Sequence, residues 1–258
     1  MRGFLAITKK DFRSFFFSPT FYVVAFFCTL VLSWVFPIQL AQFNEMTHNF
    51  MYQQQGANNP QMNIHYGVFL RQLSYLNLML ILIVPAFTMR LISEEKKMRT
   101  FDLLLTSPIS SVQIVLGKFI AAMGAIFGIV FLAYLYCAWA GFFAKFSWSL
   151  LTVAFVGIFL IGGVYVAMDL FCSALTESAL ASFVMAVILN VSIWFVGIGA
   201  EVSDSQGLRE FFEHISINSH LSSFVEGTVR SSALIFLFSV MGLFVFLAER
   251  VVEANRWR

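Results

Sequence analysis

Residues 89–121 read MRLISEEKKMRTFDLLLTSPISSVQIVLGKFIA and form a densely charged stretch between two strongly apolar ones. Charge at that density is costly in hydrocarbon, so the first half must lie in water or at the membrane surface. Apolar residues recur there near helical spacing, and Pro108 disfavours helical backbone before it, so a helix is predicted that stops by Ser107. Ser110 and Gln113 have capping-box spacing just before the next apolar run. The stretch therefore predicts an amphipathic cytoplasmic elbow joined directly to two membrane spans.

The composition places the whole chain in a membrane. Hydrophobic residues make up 59% of it and charged residues only 12%, whereas a soluble domain carries about 25% charge. The net charge of +2 is too small to indicate a nucleic-acid partner. Cys28, Cys137 and Cys172 lie in apolar runs at uneven spacing, which favours small buried hydrophobes over a disulfide framework.

Six apolar runs are long enough to span a bilayer, because about twenty helical residues cross a hydrocarbon core of about 30 Å. The predicted spans are approximately residues 21–40, 67–89, 112–141, 149–171, 178–200 and 231–248. The first run is too long for the core of a signal peptide and is interpreted as an uncleaved span. Residues 1–19 are basic and amphipathic, which suits a helix in the membrane interface. The predicted fold is a single all-α integral membrane domain over residues 1–258, with the coupling elbow at 92–108.

The distribution of basic residues gives the orientation. With a cytoplasmic N-terminus and C-terminus, the inner side collects twelve lysines and arginines and the outer side four. The opposite orientation would reverse that ratio, so the positive-inside rule selects both termini in the cytoplasm.

The connections between the spans are predicted from their polarity. Residues 42–65 are polar and lack lysine and arginine, which indicates an external loop. Residues 172–177 are expected to form a tight inner turn. Residues 201–230 form a second external region with a short amphipathic helix over 208–215. Residues 250–258 are expected to be a short basic tail.

No catalytic, cofactor or metal site is predicted. Gly117-Lys118 is followed by Phe119 and lacks the upstream glycine of a phosphate-binding loop, so the chain cannot hydrolyse ATP by that route. His48 and His65 have no cysteine or acidic companions at ligand spacing. A proton-driven transporter would need a chain of acidic groups or histidines at mid-membrane, and the sequence shows no such chain. The energy for any transport is therefore expected to come from another protein.

Few polar groups lie within the spans. Asp169 is near the inner end of the fourth span, where it either sits at the interface or has a conformational or partner role. Asn190 in the fifth span is expected to form an interhelical hydrogen bond rather than to bind substrate. Gly157, Gly162 and Gly163 predict close helix approach.

The elbow carries a resemblance to a known family. The segment ISEEKKMRTFDLLLTSP at 92–108, continued by QIVLGK at 113–118, resembles the ABC transporter permeases of the type-2 exporter kind, which have a similar EE(K/R)xxxTxxLLLTSP(I/V)S…VLGK stretch after the second span. The likeness is closest to gliding-motility-associated permeases and to those for nitrous-oxide-reductase maturation. Residues 219–230 and 256–257 are similar to the ending of the gliding-type group.

The resemblance implies a permease subunit of the bacterial inner membrane. Six helices would pair with a second permease half, either the same chain or a related one, and with two nucleotide-binding ATPase subunits. ATP and magnesium would bind those subunits, and this chain would bind no cofactor. Residues 1–19 would match the interfacial connecting helix and 94–106 the coupling helix. The outer segment between spans five and six would match re-entrant helices, and a periplasmic or envelope partner is also possible.

The residues proposed to contact the ATPase follow from this match. Charged and polar side chains would meet the partner, and leucines would anchor the elbow to the membrane helices. These residues are Glu94, Glu95, Lys97, Arg99, Thr100, Leu103 and Leu104. The candidate polar sites within the membrane are Asp169 and Asn190.

Two functions from different classes remain open. In the first, the chain is the transport subunit of an ATP-driven exporter, and the thin polar lining of its spans indicates an amphiphilic or bulky cargo. In the second, it is a membrane scaffold through which an ATPase acts mechanically on envelope proteins without moving a solute. An intramembrane enzyme is disfavoured because the sequence shows no catalytic set. The elbow is correspondingly either a docking surface or a solvated loop that fixes topology. The sequence gives neither substrate nor direction.

Overall fold

The computed structural model describes residues 2–52, 64–106, 109–139, 146–202 and 205–256. Within these ranges the chain is helical almost throughout and contains no strand. The helices are α1 (Arg2–Phe17), α2 (Pro19–Tyr52), α3 (Leu70–Thr88, preceded by a π-helical turn at His65–Phe69), α4 (Ser93–Lys97), α5 (Thr100–Thr106), α6 (Ser111–Trp139), α7 (Trp148–Leu175), α8 (Ala179–Val202), α9 (Gln206–Ile215), α10 (Ile217–Val225) and α11 (Ser231–Arg256).

Helix α7 is the centre of the bundle. Every residue from 161 to 170 is buried, and α7 contacts α3, α6, α8, α10 and α11. Six helical segments in the described ranges, those built on α2, α3, α6, α7, α8 and α11, are long and apolar enough to cross a membrane. The protein is therefore an all-α integral membrane protein.

Glycines on α7 let its neighbours approach closely, as predicted from the sequence. A Cβ at Gly157 would lie 2.5 Å from Cγ of Phe224 on α10. A Cβ at Gly162 would lie 2.9 Å from Ile126 on α6, and one at Gly163 would lie 2.9 Å from Met241 on α11. Each of these distances is too short for a Cβ, so all three contacts depend on the missing side chain.

Helix α1 packs along the first half of α6. Phe12 covers Gly124 so closely that a Cβ there would be 2.4 Å from the ring atom Cε2. One turn further, Phe16 lies against Gly128. Two aromatic rings of the amphipathic N-terminal helix thus rest on glycines of the third span.

Several boundaries differ from the sequence-based expectation. Helix α2 continues to Tyr52, so the first part of the expected loop at 42–65 is helical, and 53–63 lie outside the described residues. The sequence lacks proline and glycine between 38 and 52, and Phe43 packs against the core. The expected basic tail is helical up to Arg256, because Val252 is still fully buried in the bundle.

Candidate functional site

The elbow consists of two short helices rather than one continuous helix. Helix α4 closes with hydrogen bonds from the N–H groups of Met98 and Arg99 to the carbonyls of Glu94 and Lys96, at 2.9 and 3.0 Å. Arg99 then adopts a φ of +56°, a left-handed conformation that costs about 1–2 kcal/mol for a residue with a side chain. This residue turns the chain, and α5 starts directly after it.

Helix α4 is held against the inner end of α7. The hydroxyl of Ser173 on α7 accepts hydrogen bonds from the backbone N–H groups of Ile92, at 3.1 Å, and Ser93, at 3.2 Å. These donors belong to the start of α4, where no intrahelical carbonyl can reach them. Lys96 adds a bond from Nζ to the carbonyl of Ala174. Any displacement of α4 therefore acts directly on α7.

A buried lysine ties the elbow to two further helices. Lys118 on α6 is 1% exposed. Its Nζ lies 2.8 Å from Oε2 of Glu95 and 3.3 Å from Oδ2 of Asp11, and it donates to the carbonyl of Leu91 at 2.7 Å. The ammonium group thus donates hydrogen bonds to Asp11 and to the carbonyl of Leu91 and forms an ion pair with Glu95. Asp11 belongs to α1 and Glu95 to α4, so Lys118 joins three elements.

Lys10 on α1 completes this arrangement, with Nζ 2.9 Å from Oε1 of Glu95. Partial burial acts to lower the pKa of Lys10, but the hydrogen bond and the charge of Glu95, together with the charge of Asp11, outweigh it and raise that pKa. The four residues Lys10, Asp11, Glu95 and Lys118 are called the charge cluster below. Two cations face two anions, so the cluster is electrically neutral.

The opposite side of the elbow is exposed. Glu94, Lys97, Met98, Arg99 and Thr100 follow one another around the turn between α4 and α5 and are all open to solvent. We call these five residues the docking face. Met98 lies at the centre of the docking face and is 68% exposed. It is an apolar side chain among charged ones. Four of the residues predicted to contact an ATPase lie on this face.

The remaining predicted contact residues are placed differently. Glu95 points into the charge cluster and away from the docking face. Leu104 is partly buried and packs against the core, while the side chain of Leu103 lies outside the described residues. Phe101 is 3% exposed and holds α5 to the bundle. The elbow therefore has an anchored inner side and a free outer side.

The capping box predicted at the start of α6 is confirmed. The backbone N–H of Ser110 donates to Oε1 of Gln113 at 3.4 Å, and the N–H of Gln113 donates to Oγ of Ser110 at 3.3 Å. This reciprocal pair ends the elbow and fixes the first residue of the third span.

Asp169 lies deeper in the bundle and is fully buried, not open at the interface. Its Oδ1 accepts a hydrogen bond from Nδ2 of Asn190 at 3.0 Å, and its Oδ2 accepts one from the hydroxyl of Thr88 at 3.2 Å. The interhelical hydrogen bond expected of Asn190 is thus present. This group joins α3, α7 and α8 one turn from Ser173, and it forms a structural connection between the elbow and the spans.

The sequence analysis missed the role of Lys118. It counted this residue only as an inner positive charge and as part of an incomplete phosphate-binding motif. The available signal was two charges in apolar surroundings: Lys118 lies within an apolar run, and Asp11 lies four residues after the apolar Ile7, on the same face of a helix. Charges at such positions are rarely buried unless paired, which predicts that each has a partner without identifying it.

In the described part of the chain, five apolar helices around a central α7, with a braced and charged elbow between the second and third spans, are typical of a transporter permease. The chain matches the family described as ABC-2 family transporter protein over residues 20–197, more than half of its length, and it belongs to that family. It is accordingly the permease component of an ABC transporter, and the family implies an ATPase partner subunit. A search of curated proteins finds no match.

Proposed function

We propose that this permease couples ATP hydrolysis in a separate ATPase subunit to export of a substrate across the bacterial inner membrane. The observation that supports the coupling is the two-sided elbow. Its docking face is free, while its inner side is bonded to α1, α6 and α7 through the charge cluster and Ser173. A force applied to the docking face reaches three helices at once.

Coupling of this kind requires a stiff element with different contacts in two states. A solvated loop that only fixed topology would need neither the buried ion pairs nor a left-handed residue at Arg99. Both features specify the shape of the elbow, and shape is what a docked partner recognises. The structure thereby favours the docking interpretation of the elbow over the loop interpretation.

Further features of the assembly rest on the resemblance to type-2 exporters. Export, a second permease half, the inner membrane and the likeness to gliding-motility-associated permeases belong to this proposal. ATP and magnesium would be held by the ATPase subunit, and the docking face would receive only the motion that they produce.

The test is co-purification. The tagged permease is expressed with its host's proteins, solubilised in detergent and isolated, and bound partners are identified by mass spectrometry and assayed for ATPase activity. We expect a nucleotide-binding subunit to accompany the wild-type chain. The variant Glu94→Lys with Arg99→Glu reverses two charges of the docking face without altering net charge, and we expect it to lose the subunit and its stimulated activity.

The matched control is Glu177→Lys, which reverses an exposed charge in the turn between α7 and α8 at the same end of the bundle. It should retain the ATPase. Retention of the subunit at wild-type level by the docking-face variant, with Glu177→Lys behaving alike, would contradict the proposed docking role.

The scaffold function remains a second candidate because of α9. This helix has no buried residue, and Leu208 and Phe211 on it are 55% and 58% exposed, which suits contact with another protein. Flux of solute into sealed vesicles that depends on ATP would favour the exporter, whereas ATPase activity without any flux would favour the scaffold.

A further inference from the structure

A cavity lies at the end of the bundle opposite the elbow. It has a volume of about 680 Å³, is open on one side and is lined by residues of α2, α3, α8 and α10. Sites for small organic ligands have volumes of about 300–1,000 Å³. By the distribution of basic residues, this end faces the outer side of the membrane.

Two exposed side chains of α3 lie at the edge of the cavity. Tyr75 and Leu78 line it and are 45% and 47% exposed, so they form a rim toward the lipid. Trp194 on α8 forms an apolar part of the wall. An apolar chain that enters from the bilayer would therefore remain in contact with apolar surface.

The inner part of the wall contains an amide without a partner. Gln39 on α2 is 3% exposed, and neither its Oε1 nor its Nε2 has a hydrogen-bond partner among the described residues. Buried polar groups in folded proteins nearly always have one. The described residues supply none for Gln39, so a molecule in the cavity would provide it with both a donor and an acceptor.

The charge of the wall indicates the kind of molecule. Arg71 lines the cavity, and of its five N–H donors one is directed to Oε1 of Gln42 at 3.2 Å. No carboxylate is found among the described lining residues. The guanidinium therefore gives the cavity a net positive charge, and its fork geometry suits a phosphate or carboxylate group.

We propose that this cavity binds an anionic amphiphile of the membrane. Its acidic head would lie on Arg71 and Gln39, and its apolar chain would pass Trp194 and leave between Tyr75 and Leu78. Binding does not require the ATPase, and only the role of this molecule as cargo rests on the proposed function.

The chemistry at the head is shared by a lipid and by a free phosphate ester, so the experiment uses three probes. The detergent-solubilised full chain is titrated with dioleoyl phosphatidylglycerol, with dioleoyl phosphatidylcholine, and with glycerol 3-phosphate, and bound molecules are counted by native mass spectrometry. Phosphatidylglycerol is anionic, phosphatidylcholine has the same tails on a zwitterionic head, and glycerol phosphate has no tails.

We expect one phosphatidylglycerol to bind about tenfold more tightly than phosphatidylcholine, as one charge-assisted contact provides. Arg71→Gln should abolish this preference, whereas Arg71→Lys should keep most of it, which shows that the site still folds. Gln39→Leu should weaken the binding of both lipids. The control Arg230→Gln removes an exposed outer arginine that does not line the cavity and should behave as wild type.

Equal affinity for the two lipids, or a preference that survives Arg71→Gln, would overturn the inference. If glycerol phosphate bound as tightly as phosphatidylglycerol, the proposal of an amphiphilic ligand would be wrong, and the cavity would be a site for a soluble anion. No ATPase is present in this measurement, so its result is independent of the docking-face experiment.

Discussion

Lys118 bears a full charge at a position that is only 1% exposed. The free energy of such a residue depends on its partners, because an ion moved out of water loses several kcal/mol of hydration. Two carboxylates and a carbonyl restore that loss here. The arrangement adds less to stability than its contacts suggest, but it penalises any geometry in which the partners separate. It therefore fixes the position of the elbow relative to α1 and α6.

We predict that Lys118→Met destabilises the protein by about 3–5 kcal/mol, because Asp11 and Glu95 lose their buried countercharge and retain only the exposed Lys10. Thermal unfolding of the detergent-solubilised chain measures this as a lower Tm. Lys97→Met, on the exposed docking face, should change stability by less than about 0.5 kcal/mol.

The triple variant with Lys118→Met, Asp11→Asn and Glu95→Gln separates charge from packing. It should recover much of the loss, since no buried ion is left unpaired and Lys10, which loses its partners, is exposed to solvent. Equal Tm values for Lys118→Met and Lys97→Met would show that the charge cluster does not contribute to stability.

Among the elements, the contact between α7 and α10 depends most directly on a missing side chain. Phe224 lies over Gly157 at a distance that leaves no space for a methyl group. Because α10 carries Asn218, which accepts a hydrogen bond from Asn77 of α3 at 3.4 Å, a shift of α10 also affects the polar contacts of the second span.

We predict that Gly157→Ala lowers the free energy of unfolding by about 1–3 kcal/mol through overpacking. Gly242→Ala on α11 is the matched control, since a Cβ there would meet nothing within 4 Å, and it should be neutral or slightly stabilising. The two variants are compared by thermal unfolding in the same detergent. A Gly157→Ala variant as stable as Gly242→Ala would mean that α10 can shift away from α7 without lowering the free energy of unfolding.

Elements were predictable from the sequence where a local rule determined them. Ser110 and Gln113 identified the start of α6 because a capping box needs only four consecutive residues. The break at Arg99 was missed, because no glycine or proline marks it and the left-handed turn is stabilised by contacts of α4 and α5 with the bundle. Glu94 and Glu95 looked equivalent in the sequence, and Glu95 turns inward because it pairs with Lys10 and Lys118, both distant in sequence.

At the scale of the whole molecule, the elbow and the outer cavity occupy opposite ends of one bundle. The two sites are connected through α3, which ends at the elbow and lines the cavity near its other end. Their orientation relative to the membrane follows from charge alone, so it can be measured independently of any transport activity.

We predict that a membrane-impermeant maleimide added to intact cells labels Leu208→Cys on α9 but not Met98→Cys on the docking face, and that lysis exposes Met98→Cys. Both side chains are well exposed, and the three native cysteines are buried, so background labelling should be low. Labelling of Met98→Cys in intact cells would contradict the predicted orientation, because it would show that the docking face lies outside the cytoplasm.

Helix α2 has 34 residues, a length of about 51 Å at 1.5 Å per residue, whereas the hydrocarbon core measures about 30 Å and the bilayer with headgroups about 40–45 Å. Its last turns therefore stand in the water beyond the lipid, where Gln42, Asn44, Glu45 and His48 are exposed. A soluble protein on that side would meet this helix before it meets the bilayer. Such a protein could engage the permease without inserting any segment of its own into the membrane.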